Sequence, residues 1–165
     1  MSIRVLDLAG IVRPYVDMDL ITEPDGEPVD RIVVGELLSE CFLEEIMGTV
    51  QGWSDMLRDN GELHLWMPSL EWACFEVLGG RMDGHIITHL YGFRDKPRHS
   101  ILTLEATRDI LLRVGLMTVR ADTTDFVIGK KPDTGEELIG KRHFLIAVKT
   151  PHQPDEMEKR WIPDS

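Results

Sequence analysis

Two carboxylates four residues apart, Glu36 and Glu40, follow the apolar run "RIVVG" at 31–35. Just past the carboxyl end of a buried strand they could contact a cationic ligand; acids at a helix start are equally favoured by the helix dipole and need none. Asp7 and Asp19 could bind ligand hydroxyls or an amine, or stand as strand-edge acids. His85 and His89, in "HIITH", have the i,i+4 spacing that offers two metal ligands from one helix face. The motif lacks the acid that a zinc protease places beside its first His, and no third ligand is placed, so no metal is expected. Cys41 and Cys74 lie far apart and outside any CxxC pairing, which predicts reduced, mostly packed thiols rather than a zinc site or a disulfide framework.

Periodicity supplies the elements that would hold these groups. "IRVLDL" (3–8) and "YVDMDLI" (15–21) read as short strands divided by a turn around Gly10 and Pro14, and "TEPDGEP" reads as a loop. "RIVVG" has the unbroken apolar character of a strand buried on both faces. Ile46, Val50, Trp53 and Leu57 then recur at helical spacing, with Glu44, Glu45 and Asp55 off the stripe. Asn60-Gly61 is expected to stop that helix as a left-handed cap, before a strand "ELHLWM" that Pro68 ends. Strand, helix and strand make a βαβ unit, hence a parallel pair with a right-handed crossover. Ligands of such sheets sit at the carboxyl ends of the strands, which singles out Gly35, Glu36, Pro68 and Ser69.

Ser69 is a plausible N-cap for "LEWACFEVL", which Gly79-Gly80 stops. Thr103 caps "LEATRDILLRV", whose Leu104, Ile110, Leu111 and Val114 can face the sheet before Gly115 closes the helix. Strands are expected at 116–121, 126–130 and 143–149, the last two as an antiparallel hairpin. Trp53, Trp66 and Trp72 read as core residues. One domain over 1–150 is predicted, followed by a polar tail, 151–165, held loosely.

The chain has 165 residues, 42% hydrophobic and 28% charged, with a net charge of -11. Residues 1–80 hold 16 acids against 4 Lys/Arg, and residues 81–165 hold 13 acids against 14. The acidic first half repels phosphate backbones, which argues against general nucleic-acid binding. In the second half, Arg94, Lys96, Arg98, Lys130, Lys131, Lys141 and Arg142 could meet an anion or simply be solvated. No apolar run approaches the roughly 20 residues of a membrane-spanning helix, and a cytoplasmic protein with no membrane partner is the expectation.

Three stretches carry a family resemblance. "VDRIVVGELLSECF" is similar to the strand and "hvLEH" segment of class I S-adenosylmethionine-dependent methyltransferases, and "WSDMLRDNGELHLWMP" to their "rvLkpGG.l.i..P" segment. "HLYGFRDKPRHSILTLEATRDILLRVGL" resembles the stretch in which a "yG" and a "H" precede a "t.e.l..lL..aGf" helix. The resemblance spans about residues 15–149 and implies an α/β fold: a truncated Rossmann-like methyltransferase sheet, mostly parallel, with a C-terminal antiparallel hairpin. It implies S-adenosylmethionine as cofactor, a small-molecule or protein methyl acceptor, His99 as general base where the acceptor must lose a proton, and Tyr91 as a second catalytic candidate. Cofactor contacts fall to Gly10, Gly35, Glu36 and Asp19, the last matched to the family's adenine-side Asp. Glu36 and Glu40 would then face a sulfonium.

The sequence also departs from the pattern. "LDLAGIVRP" offers only Gly10 and Ala9 where the family has a glycine-rich loop, and the "LEH" motif has become Leu38-Ser39-Glu40. The first two family strands are expected to be missing or reduced to residues 3–8. Two readings follow: a compact methyltransferase with a shortened cofactor half, or a degenerate methyltransferase-like module acting in assembly, with the missing glycines predicting weak cofactor binding at best. The second expects a homo-oligomer through the sheet edge left open near residues 3–21.

Overall fold

The computed structural model describes residues 2–151 except Met82. The predicted tail therefore lies, from residue 152, outside the described residues. Chain order runs β1 (Ile3–Asp7), β2 (Met18–Ile21), β3 (Val29–Gly35), α1 (Leu37–Glu40), α2 (Ile46–Met56), β4 (Leu57–Pro68), α3 (Leu70–Leu78) and α4 (Gly84–Tyr91). A two-residue hairpin, β5 (Gly92–Phe93) and β6 (Lys96–Pro97), precedes α5 (Leu104–Arg113), β7 (Leu116–Lys130) and β8 (Glu137–Lys149).

Six strands form one sheet in the order β2-β1-β3-β4-β8-β7. The β1–β2, β1–β3 and β3–β4 pairs are parallel, and β8 runs antiparallel to both β4 and β7. The expected mostly parallel sheet with a terminal hairpin is what the chain forms, and β3 and β4 are parallel neighbours as the βαβ reading requires. The core lies on one face of the sheet. Leu6, Ile32, Val34, Leu63, Leu65, Leu145 and Ala147 point there, and the α2 stripe of Ile46, Val50 and Trp53 closes over them together with Leu111 of α5. On the opposite face Arg31, Glu62, His64, Trp66 and Phe144 are half-buried and interact with one another. No helix among the described residues is long and apolar enough to cross a membrane.

Several boundaries differ from expectation. Helix α2 ends at Met56, and Leu57 is already extended, so Asn60-Gly61 is not its cap. Asn60 takes φ 63° inside β4, where the β3–β4 pairing slips between Val29↔Leu57 and Arg31↔Glu62. A Cβ on Gly61 would stand 2.8 Å from the Arg58 carbonyl and 3.2 Å from that of Asp30, so this bulge needs glycine. Residues 116–130 form one strand, not two, because Thr123 and Thr124 pair with His143 and Arg142 without a break. The expected reduction to residues 3–8 is seen as the five-residue strand β1, with the strand expected within 15–21 beside it as β2. β1 and β2 are both present and parallel; what is short is their connection, residues 8–17, which contains no helix although a parallel crossover usually takes a dozen or more residues and a helix. Cys74 is exposed rather than packed, and Cys41 is half-buried. Of the three tryptophans read as core, Trp53 alone is fully buried; Trp66 and Trp72 are half-buried.

Trp53 is 5% exposed between α2 and the sheet. Trp53→Ala is expected to cost about 3–5 kcal/mol in chemical denaturation; a loss under about 0.5 kcal/mol, the surface value, would remove it from the core.

Candidate functional site

Strand order reverses between β1 and β3: the chain steps outward from β1 to β2, then returns to the other side of β1 to lay down β3 and β4. Ligands of open α/β sheets bind outside the carboxyl ends of the strands at this kind of switch point. A cleft of about 540 Å³ opens there. Leu8, Ala9 and Ile11 from the loop after β1 form one side, and Val34, Gly35 and Glu36 from the end of β3 form the floor. Trp66 of β4, Glu40 of α1, Lys96 of β6 and Arg142 of β8 complete it.

The loop after β1 is built by one carboxylate. Asp7 is 4% exposed, and its Oδ1 accepts the backbone N–H groups of Ala9 (3.2 Å) and Gly10 (2.9 Å), while Oδ2 accepts that of Val12 (2.7 Å). Satisfied by three donors, Asp7 holds the loop instead of being free for ligand hydroxyls. Gly10 has φ 68° with open space where a Cβ would be, and Gly35 has φ 56°. At Gly35 a Cβ would meet the Ala9 Cβ at 2.8 Å, so glycine lets the end of β3 pass under the loop.

Glu36 is not a free anion. Arg98 Nη2 donates to its Oε2 at 2.9 Å, and Arg98 Nη1 donates to the carbonyls of Thr88 (3.2 Å) and His89 (2.7 Å) at the end of α4. One guanidinium thus ties α4, the residue after β3 and the segment before α5 together. His89 is fully buried, and its Nε2–H donates to the Ser69 carbonyl (3.0 Å). Burial, reinforced by the nearby Arg98 charge, lowers its pKa below the usual imidazole value despite the opposing hydrogen bond to Ser69. Such a His is a neutral strut of the core. His85 stands 3.1 Å from Asp83, and no cluster of three metal-binding side chains occurs among the described residues. A second buried histidine, His143, bridges Thr123 Oγ1 and Glu71 Oε2, each at 2.9 Å. Burial raises the Glu71 pKa, but the hydrogen bonds from His143 and the Leu104 N–H lower it further, with a net depression.

The structure brings Gly35 and Glu36 into the cleft, with Gly10 in the loop that walls it. Asp19 is not there: its exposed carboxylate lies 3.5 Å from Arg4 Nε, level with the start of β1. His99 and Tyr91 share a neighbouring hollow of about 300 Å³ with Leu70, Leu90 and Ile101. Arg98 lines that hollow too, so its pair with Glu36 stands between the two spaces. The His99 ring is stacked on Phe42 at 4.2 Å. Ser69 caps α3 through the Trp72 N–H as predicted, and Pro68 pairs with Arg142. Lys96 and Arg142 are two of the seven bases that could meet an anion, and what spacing does not show is that they converge on Trp66, since 45 residues of chain separate them from each other.

No protein-family model and no curated protein matches the sequence. Solved structures match in fold. A proposed methyltransferase from Bacillus halodurans aligns over 91% of this chain and 93% of its own, with a TM-score of 0.57 and 11% identity. The 1,6-didemethyltoxoflavin-N1-methyltransferase of Burkholderia thailandensis, solved with 1,6-didemethyltoxoflavin and S-adenosylhomocysteine bound, aligns over 91% of this chain and 72% of its own at TM-score 0.52 and 14% identity. TehB from Haemophilus influenzae aligns over 81% of this chain at TM-score 0.51 and 9% identity, and the match covers 41% of TehB. The fold is that of the class I, Rossmann-like methyltransferases.

Two outcomes follow from this geometry. Gly35→Ala is expected to cost more than about 1 kcal/mol, the scale of a strained left-handed residue, and Gly35→Ala with Ala9→Gly to recover the steric part; an unchanged denaturation midpoint for the single variant would contradict the close approach. Because the His89 pKa is lowered on folding, the unfolded chain takes up the proton first, and stability is lost as pH falls below about 6.5. Urea unfolding at pH 7.5 and 5.5 should show this loss, and His89→Gln should reduce it, leaving the share from His64, whose pKa burial also lowers.

Proposed function

We propose that the protein is an S-adenosylmethionine-dependent methyltransferase whose cofactor lies in the cleft at the ends of β1, β3 and β4. The observation that supports this reading is the cleft itself: about 540 Å³ at the switch point of a methyltransferase-like sheet, walled by a loop that Asp7 holds in shape. The residues fit the group at its amino-acid end, where Gly10 leaves open space beside the loop and Gly35 keeps the floor low. They fit less well at the ribose, since Asp19 is turned to Arg4 and Glu36 is held by Arg98. Bound there, the cofactor would supply an activated methyl group for in-line displacement by an acceptor. The chain's own part is positioning and exclusion of water: Ala9, Ile11 and Val34 supply apolar wall, and the Arg98–Glu36 pair fixes the rim.

His99 and Tyr91, in the adjoining hollow, would act on an acceptor that reaches past Arg98. A protein or small molecule could do so. If the site has lost its cofactor, the remaining role is assembly through the sheet edge near residues 3–21, where β2 is the outer strand.

Calorimetric titration with S-adenosylmethionine and S-adenosylhomocysteine decides the matter. Saturable binding is expected with Kd about 0.1 mM or weaker, corresponding to about -5.5 kcal/mol, and His99→Ala should leave that affinity unchanged. Absence of saturable heat at millimolar cofactor would sink the enzymatic reading.

A further inference from the structure

The cleft gathers two cations from opposite ends of the C-terminal half. Lys96 comes from the short β5–β6 hairpin and Arg142 from β8. Arg142 Nε is buried without a hydrogen-bond partner among the described residues, and its guanidinium lies 5.6 Å from the Phe126 ring centroid. The preceding residue behaves differently: Lys141 Nζ is paired with Asp125 at 2.7 Å. No salt bridge or side-chain hydrogen bond engages the Arg142 guanidinium among the described residues, so its charge is free to gain charge-assisted bonds from an anion in the cleft. The anion already present does not supply them, because the Glu36 carboxylate is engaged by Arg98.

We propose that Arg142 and Lys96 dock a carboxylate or phosphate group carried by the methyl acceptor, so that the acceptor class is an anionic molecule. The inference rests on the methyltransferase reading above. Position separates this anion from the cofactor's own carboxylate. The amino-acid end of the cofactor belongs at the loop after β1, and β8 lies three strands away in the sheet order, roughly 14 Å at about 4.8 Å per strand. Trp66 lies between them on β4 and offers an aromatic wall for the body of the acceptor. A planar, always-charged guanidinium suits bidentate capture of either oxyanion, with the Lys96 ammonium as a second, mobile donor. In a chain of net charge -11, such a site also selects by sign: cationic acceptors meet no uncompensated counter-charge there except Glu40.

Benzoate and inorganic phosphate serve as probes, titrated into the cofactor-free protein against sodium chloride at matched ionic strength. The Trp66 indole and Arg142 Nε–H resonances report binding. Saturable shifts are expected for at least one probe below about 50 mM, weakened about tenfold or more in Arg142→Gln and in Lys96→Gln, a change of about 1.4 kcal/mol. Lys96 is exposed, so its variant reports even if Arg142→Gln disturbs folding. In the same variants the affinity for S-adenosylhomocysteine should change less than about twofold. Probe binding indifferent to both substitutions, or no saturation by either probe, overturns the proposal. A tenfold loss of S-adenosylhomocysteine affinity in either variant also overturns it, by assigning the cations to the cofactor. Probe binding without any cofactor binding would retain the anion site and remove the methyltransferase reading alone.

Discussion

The candidate site depends on one buried carboxylate. A parallel strand pair needs a path from the end of one strand back to the start of the next, and usually a helix carries it. Here ten residues, 8–17, make that path with no helix to order them. Asp7 replaces the missing helix over the first turn by accepting three backbone N–H groups, an internal anion doing for the loop what a bound phosphate does for a glycine-rich turn. With the loop fixed, Ala9 can press on Gly35, and the cleft has a wall and a floor at defined separation.

A second tie holds the rim. Arg98 closes three gaps at once, capping the carbonyls at the end of α4, neutralising Glu36 and drawing the residues before α5 over the sheet. The backbone joins in, since the N–H of His99 donates to the Ser39 carbonyl at 2.8 Å. The Arg98 guanidinium is largely buried, and the carbonyls and carboxylate satisfy its Nη1 and Nη2, while Nε has no partner among the described residues. The same tie takes Glu36 out of play as a ligand for a positively charged sulfur. Electrostatic recognition in the cleft therefore falls on the residues that remain.

What was legible in the sequence was whatever local chemistry decides. The stripe Ile46, Val50 and Trp53, the caps Ser69 and Thr103, and the parallel β3–β4 pair all follow from periodicity and side-chain hydrogen bonding, and all are present, while Leu57 joins the same core from the start of β4. Asn60-Gly61 misled because the same left-handed preference serves a strand bulge as well as a helix cap. "ADTTDF" looked like a break because its polar residues hide the alternation, yet β7 is an outer strand whose side chains meet solvent on both faces, and pairing with β8 alone decides it. Of the residues singled out for the site, Gly35 and Glu36 line the cleft as the strand-end rule expects, whereas Asp19 lies outside it. Parallel pairing with Arg4 puts Asp19 near the start of β2, away from the carboxyl ends of the strands. Trp66, Lys96 and Arg142 meet only through tertiary packing, which no spacing encodes.

The strand order also divides the chain into two kinetic halves. From β1 to β4 each parallel neighbour is reached within a few tens of residues, and β7 with β8 is a hairpin. Only the β4–β8 seam joins partners as distant as Pro68 and Arg142. By loop-closure entropy, going from a ten-residue connection to one of that length adds about 1.7 kcal/mol, at about 0.6 kcal/mol per doubling. The cleft straddles that seam, with its β1–β3 wall on one side and Arg142 on the other. The pocket is therefore complete only where that long-range seam is closed, and any ligand that spans it acts as a clasp on the two halves.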